Sequence, residues 1–553
     1  THTQNMKIYK LKNWLIILLI SVASSGCTEL YDESYNEIIA DQFKPTEKDI
    51  PALIGSAYTQ LRASMLDFDG IWRYQEITAD EIVIPARPNG WVDGGLYRRA
   101  HEHSWTTTEN WTRGLWTRIY QGITNCNRLI FQLESGFLPI NDQDLYESMI
   151  AELRVTRACY HYFLCDLFGN VPISTKFDVP DGFLPEQSTR KQVYDFILTE
   201  ITECLPLLSE ERNQSTYARF NVWAARMLMA KMYLNAEVYI GIAEWEKCIQ
   251  QCDLIINSGV GYQLEANQKN VFVTENENSP EIILGLAVDP KYTTSWNAFD
   301  HHMQTLPAGL QYKYGLTMEP WGGMCAIPQF IDTFDPDDSR YTDNFIYGPQ
   351  YTSDGEPILI SIGNSEYIGK PMNFVNEVNS IAQSEQHQGI RLEKYEIGIG
   401  SSNCLANDFV LFRYADVLMM KAECLLRTGK SDDAAALVTE VRKRAFKSAP
   451  EKAIVTGADL LKGSVYDYGV RDNRDTPTNT FEGGKDIKYG RFLDELAWEF
   501  NQEGRRRQDM IRFGVYTKKS WFSHTPNGDY RTLFPIPQRE IDANANLKPN
   551  PGY

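Results

Sequence analysis

Residues 411–441 read "LFRYADVLMMKAECLLRTGKSDDAAALVTEV", and this stretch decides the fold class. Its first half carries apolar side chains at spacings of four, three, four and three residues, at Leu411, Ala415, Leu418, Ala422 and Leu425. This spacing forms one apolar stripe along a helix. The letters "RTGKSDD" then supply a glycine turn followed by acidic residues, which favour the start of another helix. A second stripe at Ala434, Leu437 and Val441 completes a predicted pair of helices.

Small residues in this stretch follow the spacing of a tetratricopeptide helix pair. Gly429 lies seven residues after Ala422, and Ala434 lies twelve residues after it. Small side chains at these positions let the two helices approach closely. The same helical periodicity occurs twice more, at 223–259 and at 151–208, so the sequence predicts a series of helix pairs.

Two long segments break the helical rhythm. Residues 78–107 and 276–399 are rich in proline, glycine and aromatic residues. Loops of this length are usually functional or disordered, and the aromatic content argues against disorder. The predicted fold class is therefore mostly α: a tetratricopeptide-like helical repeat scaffold, with helix pairs within about 46–260 and 405–446, and a loop-rich, irregular second half.

The net charge and the positions of the cysteines exclude some classes of protein. The formal net charge is −19 at pH 7, whereas nucleic-acid binding requires positive charge clustered on one face. We therefore exclude DNA and RNA as ligands. The ten cysteines include no CxxC pair, and several fall among apolar residues of predicted helices, at Cys159, Cys165, Cys248, Cys252 and Cys424. We predict that these are small buried side chains and not a disulfide framework.

The first 26 residues have the order of a signal peptide. Three lysines precede an apolar run at 14–22, and small residues follow at 23–26. The run is too short to cross a bilayer, since a spanning helix needs about 20 residues. Cys27 follows directly, and the stretch resembles the lipobox of bacterial lipoproteins, whose cysteine carries a diacylglycerol. The alternative is a secretory signal that ends near a free cysteine.

Four further stretches resemble one family. "RVTRACYHYFLCDLFGNVPI" at 154–173 is similar to the family's Arg-x-x-Arg-Ala-x-x-Tyr helix, and "LFRYADVLMMKAEC" at 411–424 is similar to its Leu-Arg-Tyr-Ala-Asp-Val-Leu-Leu helix. The segment at 493–514 resembles its Glu-Gly-x-Arg-x-x-Asp-Leu-Ile-Arg motif, and "LFPIPQREIDANANLKPNPGY" at 533–553 resembles its terminus. The family is that of the SusD/RagB outer-membrane nutrient-binding lipoproteins of Bacteroidetes.

The resemblance implies how the chain is organised. It implies a signal peptide at 1–26, a lipidated tether at 27–45 with the lipid on Cys27, and a single SusD-like domain at 46–553. The domain would end in the family's C-terminal segment, residues 490–553. The implied location is the outer membrane at the cell surface, where the lipid anchors the protein.

The resemblance also implies a function in binding. A member of this family captures oligosaccharide or polysaccharide at the cell surface and delivers it to a SusC-like TonB-dependent transporter. It has no catalytic residues, no cofactor and no metal. An alternative within the same family is the capture of peptides.

The two loop-rich segments are the candidate ligand-binding regions. Sugars present apolar C–H faces and hydroxyl rims, so they favour aromatic platforms beside polar side chains. The candidates in the first segment are Arg87, Asn89, Trp91, Asp93 and Tyr97, and those in the second are Trp296, Tyr312, Tyr314 and Trp321. The alternative for each aromatic ring is ordinary packing within a loop.

A surface glycoside hydrolase is the enzymatic alternative. It requires two carboxyl groups about 5–9.5 Å apart across a cleft, and Asp80 with Glu81 is the one suggestive pair in an aromatic loop. Adjacent side chains tend to point apart, so we predict that the protein is not an enzyme. Four histidines are expected to be exposed loop residues and not metal ligands, namely His101, His103, His301 and His302.

Other charged residues have structural interpretations. The "DPDDSR" segment at 335–340 suggests either a calcium site or a structural turn, and we favour the turn because it lacks the full ligand set of an EF-hand loop. Charged residues within the predicted helices are expected to form structural ion pairs. They are Arg154, Arg157, Glu423, Glu503, Arg507 and Asp509.

Overall fold

Helices are the main regular structure of this computed structural model, which describes residues 49–88, 90–293, 299–472 and 476–553. The predicted signal peptide and tether, with Cys27, lie outside these residues. The described residues belong to one compact unit. Among them, no helix combines the length and the apolar character that crossing a membrane requires.

The first half of the described chain is dominated by long helices. In chain order the α-helices are α1 (Ile50–Leu66), α2 (Ile71–Glu76), α3 (Leu96–His101), α4 (Asn110–Glu134), α5 (Gln143–Leu167), α6 (Arg190–Cys204), α7 (Val222–Leu234), α8 (Ala236–Ile240) and α9 (Trp245–Ile256).

Short helices follow, and then the last helix pair and the C-terminal helices. They are α10 (His301–Thr305), α11 (Gln311–Tyr314), α12 (Pro328–Ile331), α13 (Ser339–Asn344), α14 (Tyr414–Arg427), α15 (Ser431–Lys443), α16 (Gly457–Leu460), α17 (Gly490–Phe500), α18 (Arg506–Arg512) and α19 (Gln538–Ala543).

The long helices pack side by side in one continuous layer. Helix α1 packs on α4, α4 on α5, α5 on α6, α6 on α7, α7 on α9, α9 on α14, and α14 on α15. The three predicted pairs at 151–208, 223–259 and 411–441 correspond to α5 with α6, α7 with α9, and α14 with α15. The predicted mostly α, tetratricopeptide-like scaffold is therefore confirmed.

Local sequence signals explain where these helices begin and turn. Thr189 and Gln192 form a capping box at the start of α6, in which each side chain accepts a hydrogen bond from the other's backbone N–H. Asn221 caps α7 by accepting from the backbone N–H groups of Trp223 and Ala224 at 3.1 and 2.9 Å. Gly429 lies between α14 and α15 with φ of 83°, a left-handed conformation that favours glycine.

The strands are short, and they pair mainly to fasten loops. They are β1 (Ile82–Val83), β2 (Val171–Pro172), β3 (Gln187–Ser188), β4 (Ile282–Leu286), β5 (Cys325–Ala326), β6 (Phe345–Ile346), β7 (Gly348–Pro349), β8 (Asn373–Phe374), β9 (Arg391–Leu392), β10 (Phe409–Arg413), β11 (Gly469–Val470) and β12 (Trp521–Phe522). The antiparallel pair β4–β10 joins Leu286 to Phe409 and Ile282 to Arg413. The second loop-rich segment thus leaves the helical layer along β4 and returns to it along β10.

The two loop-rich segments are joined to each other. Strand β1 of the first pairs antiparallel with β5 of the second, with Ile82 opposite Ala326 and Val83 opposite Cys325. The side chains of β1 and β5 are buried. We call the first segment, 78–107, and the second, 276–399, the first and second insertions.

The charged residues expected to form structural ion pairs do so, and all of them except the half-buried Arg154 have buried side chains. The pairs are Arg154 with Glu200 at 2.7 Å, Arg157 with Glu200 at 2.5 Å, Glu423 with Arg512 at 2.7 Å, Glu503 with Arg413 at 2.7 Å, Arg507 with Asp166 at 3.0 Å, and Asp509 with Arg512 at 2.7 Å. The cysteine prediction is also confirmed, since the nine cysteines of the described residues are buried free thiols.

Candidate functional site

Arg87 connects the two insertions. Its Nε donates to the carbonyl oxygen of Gly323 at 2.9 Å, and a second guanidinium nitrogen donates to the carbonyl oxygen of Glu385. A Cβ on Gly323 would lie 2.8 Å from Cδ of Arg87, so glycine is needed there for this close approach. Burial lowers the pKa of Arg87. The predicted ligand-binding arginine therefore holds the second insertion against the first.

Three other predicted residues of the first insertion contact one another. The rings of Trp91 and Tyr97 lie 5.0 Å apart between centroids, and the hydroxyl of Tyr97 donates to Oδ2 of Asp93 at 2.5 Å. Tyr97 is only 2% exposed, and this burial is the main cause that raises its pKa. Trp91 is half-buried and Asp93 is exposed. The exposed part of this group is thus the indole of Trp91 beside the carboxylate of Asp93.

The predicted residues of the second insertion have different environments. Tyr312 is 67% exposed, whereas Tyr314 is 5% exposed and donates its hydroxyl to Oε1 of Glu393 at 2.7 Å. Trp321 is half-buried. Its backbone is held where Gly322 passes Gln304, because a Cβ on Gly322 would meet the Gln304 carbonyl oxygen at 1.9 Å.

Exposure differs from what we expected for part of the candidate set. Tyr97 and Tyr314 are not displayed to solvent, because their rings pack in the core and their hydroxyls bond to carboxylates. Arg87 is also buried, and its guanidinium donates to backbone carbonyl oxygens. Asn89 and Trp296 lie outside the described residues. Ligand binding by the candidate set stays a prediction.

The second insertion exposes tyrosines that the sequence analysis did not single out. Tyr292, Tyr347 and Tyr351 are 75%, 41% and 49% exposed. The backbone N–H of Ser353 donates to the carbonyl oxygen of Tyr312 at 3.2 Å, so the turn after Tyr351 lies beside Tyr312. The Asp-Gly dipeptide at 354–355, a common hairpin signal, could have located this turn in the sequence.

The acidic pair that suggested a hydrolase is buried. Asp80 and Glu81 are both at most 1% exposed, and both lie within ion-pair distance of Nε of Arg506, at 2.6 and 3.1 Å. The hydroxyl of Tyr468 also donates to Asp80 at 2.7 Å. These carboxylates hold α18 against the first insertion, and they do not face a cleft.

The histidines expected to be exposed are buried, so that prediction is wrong. They are His101, His103, His301 and His302, with at most 9% exposure. Nε2 of His103 lies 2.7 Å from the carbonyl oxygen of Thr78, and the ring of His301 stacks on Trp72 at 3.6 Å. Burial lowers the pKa of His103 to about 3. Packing against aromatic rings buries His101, His103 and His301, and His302 bonds to the carbonyl oxygen of Ser402 at 2.8 Å.

The "DPDDSR" segment makes structural ion pairs. Asp335 and Asp337 accept from Nζ of Lys452 at 2.8 and 2.6 Å, and Asp338 accepts from Arg340 at 2.6 Å. These contacts give the segment a structural role, as we favoured. In the part of the chain that the structure describes, no group of three or more histidine, cysteine or acidic side chains is arranged to hold a metal ion.

Family models match most of the chain. One described as "SusD family" matches residues 280–553, and one described as "Starch-binding associating with outer membrane" matches residues 33–234. The chain belongs to the SusD/RagB family. Its curated relatives include the starch-binding protein SusD of Bacteroides thetaiotaomicron, which is 25% identical over 499 residues, 81% of this chain and 80% of that protein. SusD-like protein P25 of Formosa agariphila is 22% identical, over 97% of this chain and 98% of that protein.

Solved structures share the fold of this SusD-family chain. A laminarin-binding SusD-like protein superposes with a TM-score of 0.68 at 19% identity, over 92% of this chain and all of that protein. Surface glycan-binding protein A of Bacteroides thetaiotaomicron, solved in complex with laminarihexaose, gives a TM-score of 0.66 at 19% identity and the same coverage. At this level of identity the likeness shows the fold, in agreement with the helical layer described above.

Proposed function

We propose that this protein is a cell-surface glycan-binding lipoprotein that captures oligosaccharide or polysaccharide and delivers it to a SusC-like TonB-dependent transporter. The observation that carries the proposal is membership of the SusD/RagB family across both halves of the chain. Relatives named for binding starch and laminarin support a carbohydrate as the ligand. The anchor is Cys27 at the outer membrane, and the tether is 27–45.

The side chains available on the two insertions suit a carbohydrate. Trp91 and Trp321 are half-buried indoles, which supply rigid platforms for the apolar faces of sugars. Asp93 beside Trp91 and the exposed Tyr312 supply acceptor and donor groups for sugar hydroxyls. Burial of Asp80 and Glu81 supports binding without hydrolysis, because these carboxylates are already paired with Arg506.

The proposal predicts loss of glycan affinity when the two indoles are removed. Trp91→Ala and Trp321→Ala should each weaken binding about fivefold, since one aromatic contact contributes on the order of 1 kcal/mol. Isothermal titration calorimetry against a panel that includes maltohexaose and laminarihexaose measures this. The matched control is Phe481→Ala, because Phe481 is 78% exposed but lies in neither insertion.

The controls separate the possible results. Thermal unfolding of each variant checks that the fold is intact, and the Phe481→Ala variant should bind as the wild type does. Unchanged affinity in both tryptophan variants would show that the ligand binds elsewhere on the chain. Binding of a peptide panel, with no glycan bound, would favour the peptide-capturing alternative. Steady release of reducing ends from a glycan would contradict the absence of catalysis.

A further inference from the structure

Two open cavities lie next to each other along helix α4, and neither is lined by residues of the two insertions. Their volumes are about 560 Å³ and about 530 Å³, within the range of about 300–1,000 Å³ that is usual for ligand sites. The cavities share Arg113, Thr117 and Gln121 as lining residues. We call the two together the α4 groove.

One end of the α4 groove is aromatic and rigid. The rings of Trp116 and Tyr120, one helical turn apart on α4, lie 4.8 Å apart between centroids. Phe168 packs edge-on against Trp116 at 5.3 Å, and the hydroxyl of Tyr120 donates to the carbonyl oxygen of Pro172 at 2.9 Å. Leu184 lines the same end. Trp116 is only 5% exposed, whereas Tyr120 is half-buried. The groove therefore displays the ring of Tyr120, which the packing against Trp116 and the bond to Pro172 hold in place before any ligand arrives.

The other end of the α4 groove is charged and carries two carboxylates. Asp67 and Asp69 lie on either side of Arg118, with N–O distances of 3.2 and 3.5 Å. Gly114 allows this arrangement, because a Cβ at that position would lie 2.4 Å from Oδ2 of Asp69. Glycine inside a helix costs about 1 kcal/mol relative to alanine, and here it admits a carboxylate to the groove wall.

Polar groups line the groove between the two ends. Nε2 of Gln60 donates to Oε1 of Gln121 at 3.5 Å, which is a long contact. The side chains of Thr124 and Asn125 make no hydrogen bond to another of the described residues. The middle of the groove therefore offers amide and hydroxyl groups that a ligand can use as donors and acceptors.

We propose that the α4 groove is a second carbohydrate-binding site, selective for neutral oligosaccharides. A sugar ring would stack on Tyr120, and the sugar hydroxyls would bond to the central amides and to the carboxylates of Asp67 and Asp69. The charged residues of the lining are the carboxylates of Asp67, Asp69 and Glu540 and the guanidinium groups of Arg113 and Arg118. This excess of negative charge disfavours uronic-acid sugars. The proposal rests on the proposed glycan-binding function, and it extends that function to a surface other than the insertions.

Two binding sites on one protein would strengthen the binding of a polymer. Once one stretch of a polysaccharide is bound, the second site binds another stretch of the same chain at high effective concentration. Loss of one site should therefore reduce the retention of a polymer more than it reduces the affinity for a hexasaccharide.

The test uses a substitution that fills the groove without removing a packed side chain. Thr117 is half-buried and lines both cavities, so Thr117→Arg should block the groove. Thr202→Arg is the matched control, because Thr202 is exposed on α6 and lines neither cavity. Calorimetry with maltohexaose and laminarihexaose compares the wild type, Thr117→Arg, Thr202→Arg, the Trp91→Ala/Trp321→Ala double variant, and the triple variant that adds Thr117→Arg. Thermal unfolding confirms that each is folded.

The expected result is residual hexasaccharide binding in the double variant, and at least a tenfold loss of that binding when Thr117→Arg is added. Thr202→Arg should have no effect, and a trigalacturonate should bind the double variant at least tenfold more weakly than the neutral sugars. In affinity gels with starch or laminarin, Thr117→Arg alone should reduce retention.

Other results would overturn one proposal and leave the other. If the double variant loses all binding and Thr117→Arg changes neither affinity, stoichiometry nor gel retention, the groove is not a glycan site, while the insertions remain one. If only Thr117→Arg abolishes binding, the groove stands and the insertions do not. If trigalacturonate binds the groove as well as neutral sugars do, the selectivity is wrong. If Thr117→Arg disrupts co-purification with a transporter but not glycan binding, the groove is a protein contact. If no glycan binds any variant, both proposals fall.

Discussion

Gly122 in α4 lets helices α4 and α5 pack closely, because its side chain is only a hydrogen atom. A Cβ at this residue would lie 2.1 Å from Cζ of Tyr160 on α5. Tyr160 is fully buried, and its hydroxyl donates to the carbonyl oxygen of Ala57 at 2.5 Å. The ring cannot move aside without breaking this bond. Gly55 in α1 is also inside a helix, but apart from its chain neighbours and the backbone of its own helix, no described atom lies within 4 Å of the position that a Cβ would take there.

Opposite effects on stability are therefore expected from the same substitution at the two glycines. Gly122→Ala should destabilise the protein by about 1–3 kcal/mol, as overpacking of a close contact does. Gly55→Ala should be neutral or stabilise it by up to about 1 kcal/mol, because alanine favours the helix more than glycine does. Urea unfolding followed by circular dichroism measures both. Equal effects at the two positions would contradict the close α4–α5 contact.

Arg413, where β10 meets α14, connects several elements through one buried side chain. Its Nη1 bonds to Glu281 before β4 at 2.7 Å and to Glu499 of α17 at 2.9 Å, while its Nε bonds to Glu503 at 2.7 Å. The arginine and its three partners are at most 5% exposed at their side chains. The C-terminal helices are thus attached to the helical layer by charge as well as by apolar packing.

Removal of this arginine should be costly. Arg413→Ala is expected to destabilise the protein by about 3–5 kcal/mol, because it removes one cation from a buried cluster of charges. The three glutamates of the cluster would then keep Arg444, Arg340 and Lys394 as ion-pair partners. The control is Arg98→Ala, which breaks an exposed pair with Glu102 at 2.7 Å and should cost less than about 1 kcal/mol. Denaturant unfolding of the two variants gives the comparison. A small loss for Arg413→Ala would show that the remaining cations compensate the carboxylates.

The last residues of the described chain pack against its first half. The indole N–H of Trp105 donates to the hydroxyl of Tyr553 at 2.7 Å, and the amide of Asn550 donates to the carbonyl oxygen of Phe168 at 2.8 Å. The backbone N–H of Phe534 donates to the carbonyl oxygen of Leu167 at 2.8 Å. The insertions and the α4 groove are therefore parts of one body.

Anchoring of that whole body is expected to depend on Cys27. Cys27→Ala should move the protein from the membrane fraction to the soluble fraction, because acyl chains contribute about 0.8 kcal/mol for each buried CH₂ group. Cys404→Ala is the control, since Cys404 is a buried free thiol that should have no part in anchoring. Cell fractionation in a strain without the transporter measures the change. Membrane retention of the Cys27→Ala protein there would contradict lipid attachment.

Helical periodicity and charge made much of this architecture predictable. The spacing of apolar residues in 411–441 predicted α14 and α15, because the contacts within a helix pair are local in sequence. Arg507 and Asp509 were predicted to form structural pairs, because charges inside apolar helices need partners. Some of the partners, such as Asp166 for Arg507, are hundreds of residues away, and no local pattern indicates them.

The candidate site was less predictable, because exposure depends on contacts that are distant in the chain. Tyr97 and Tyr312 have the same side chain and lie in similar aromatic segments, yet one is 2% and the other 67% exposed. The α4 groove was not predicted, since Asp69 and Trp116 lie in different segments, which come together only when α1 packs on α4.

The amino-acid sequence by itself determined the mostly helical scaffold, the family and the regions that carry aromatic side chains, because these depend on local periodicity and on motifs. The tertiary structure alone decided which of those side chains face water and which carboxylates are already paired. The physical reason is that burial and ion pairing are set by the packing of elements such as β1 on β5 and α4 on α5, whose residues are far apart in the sequence.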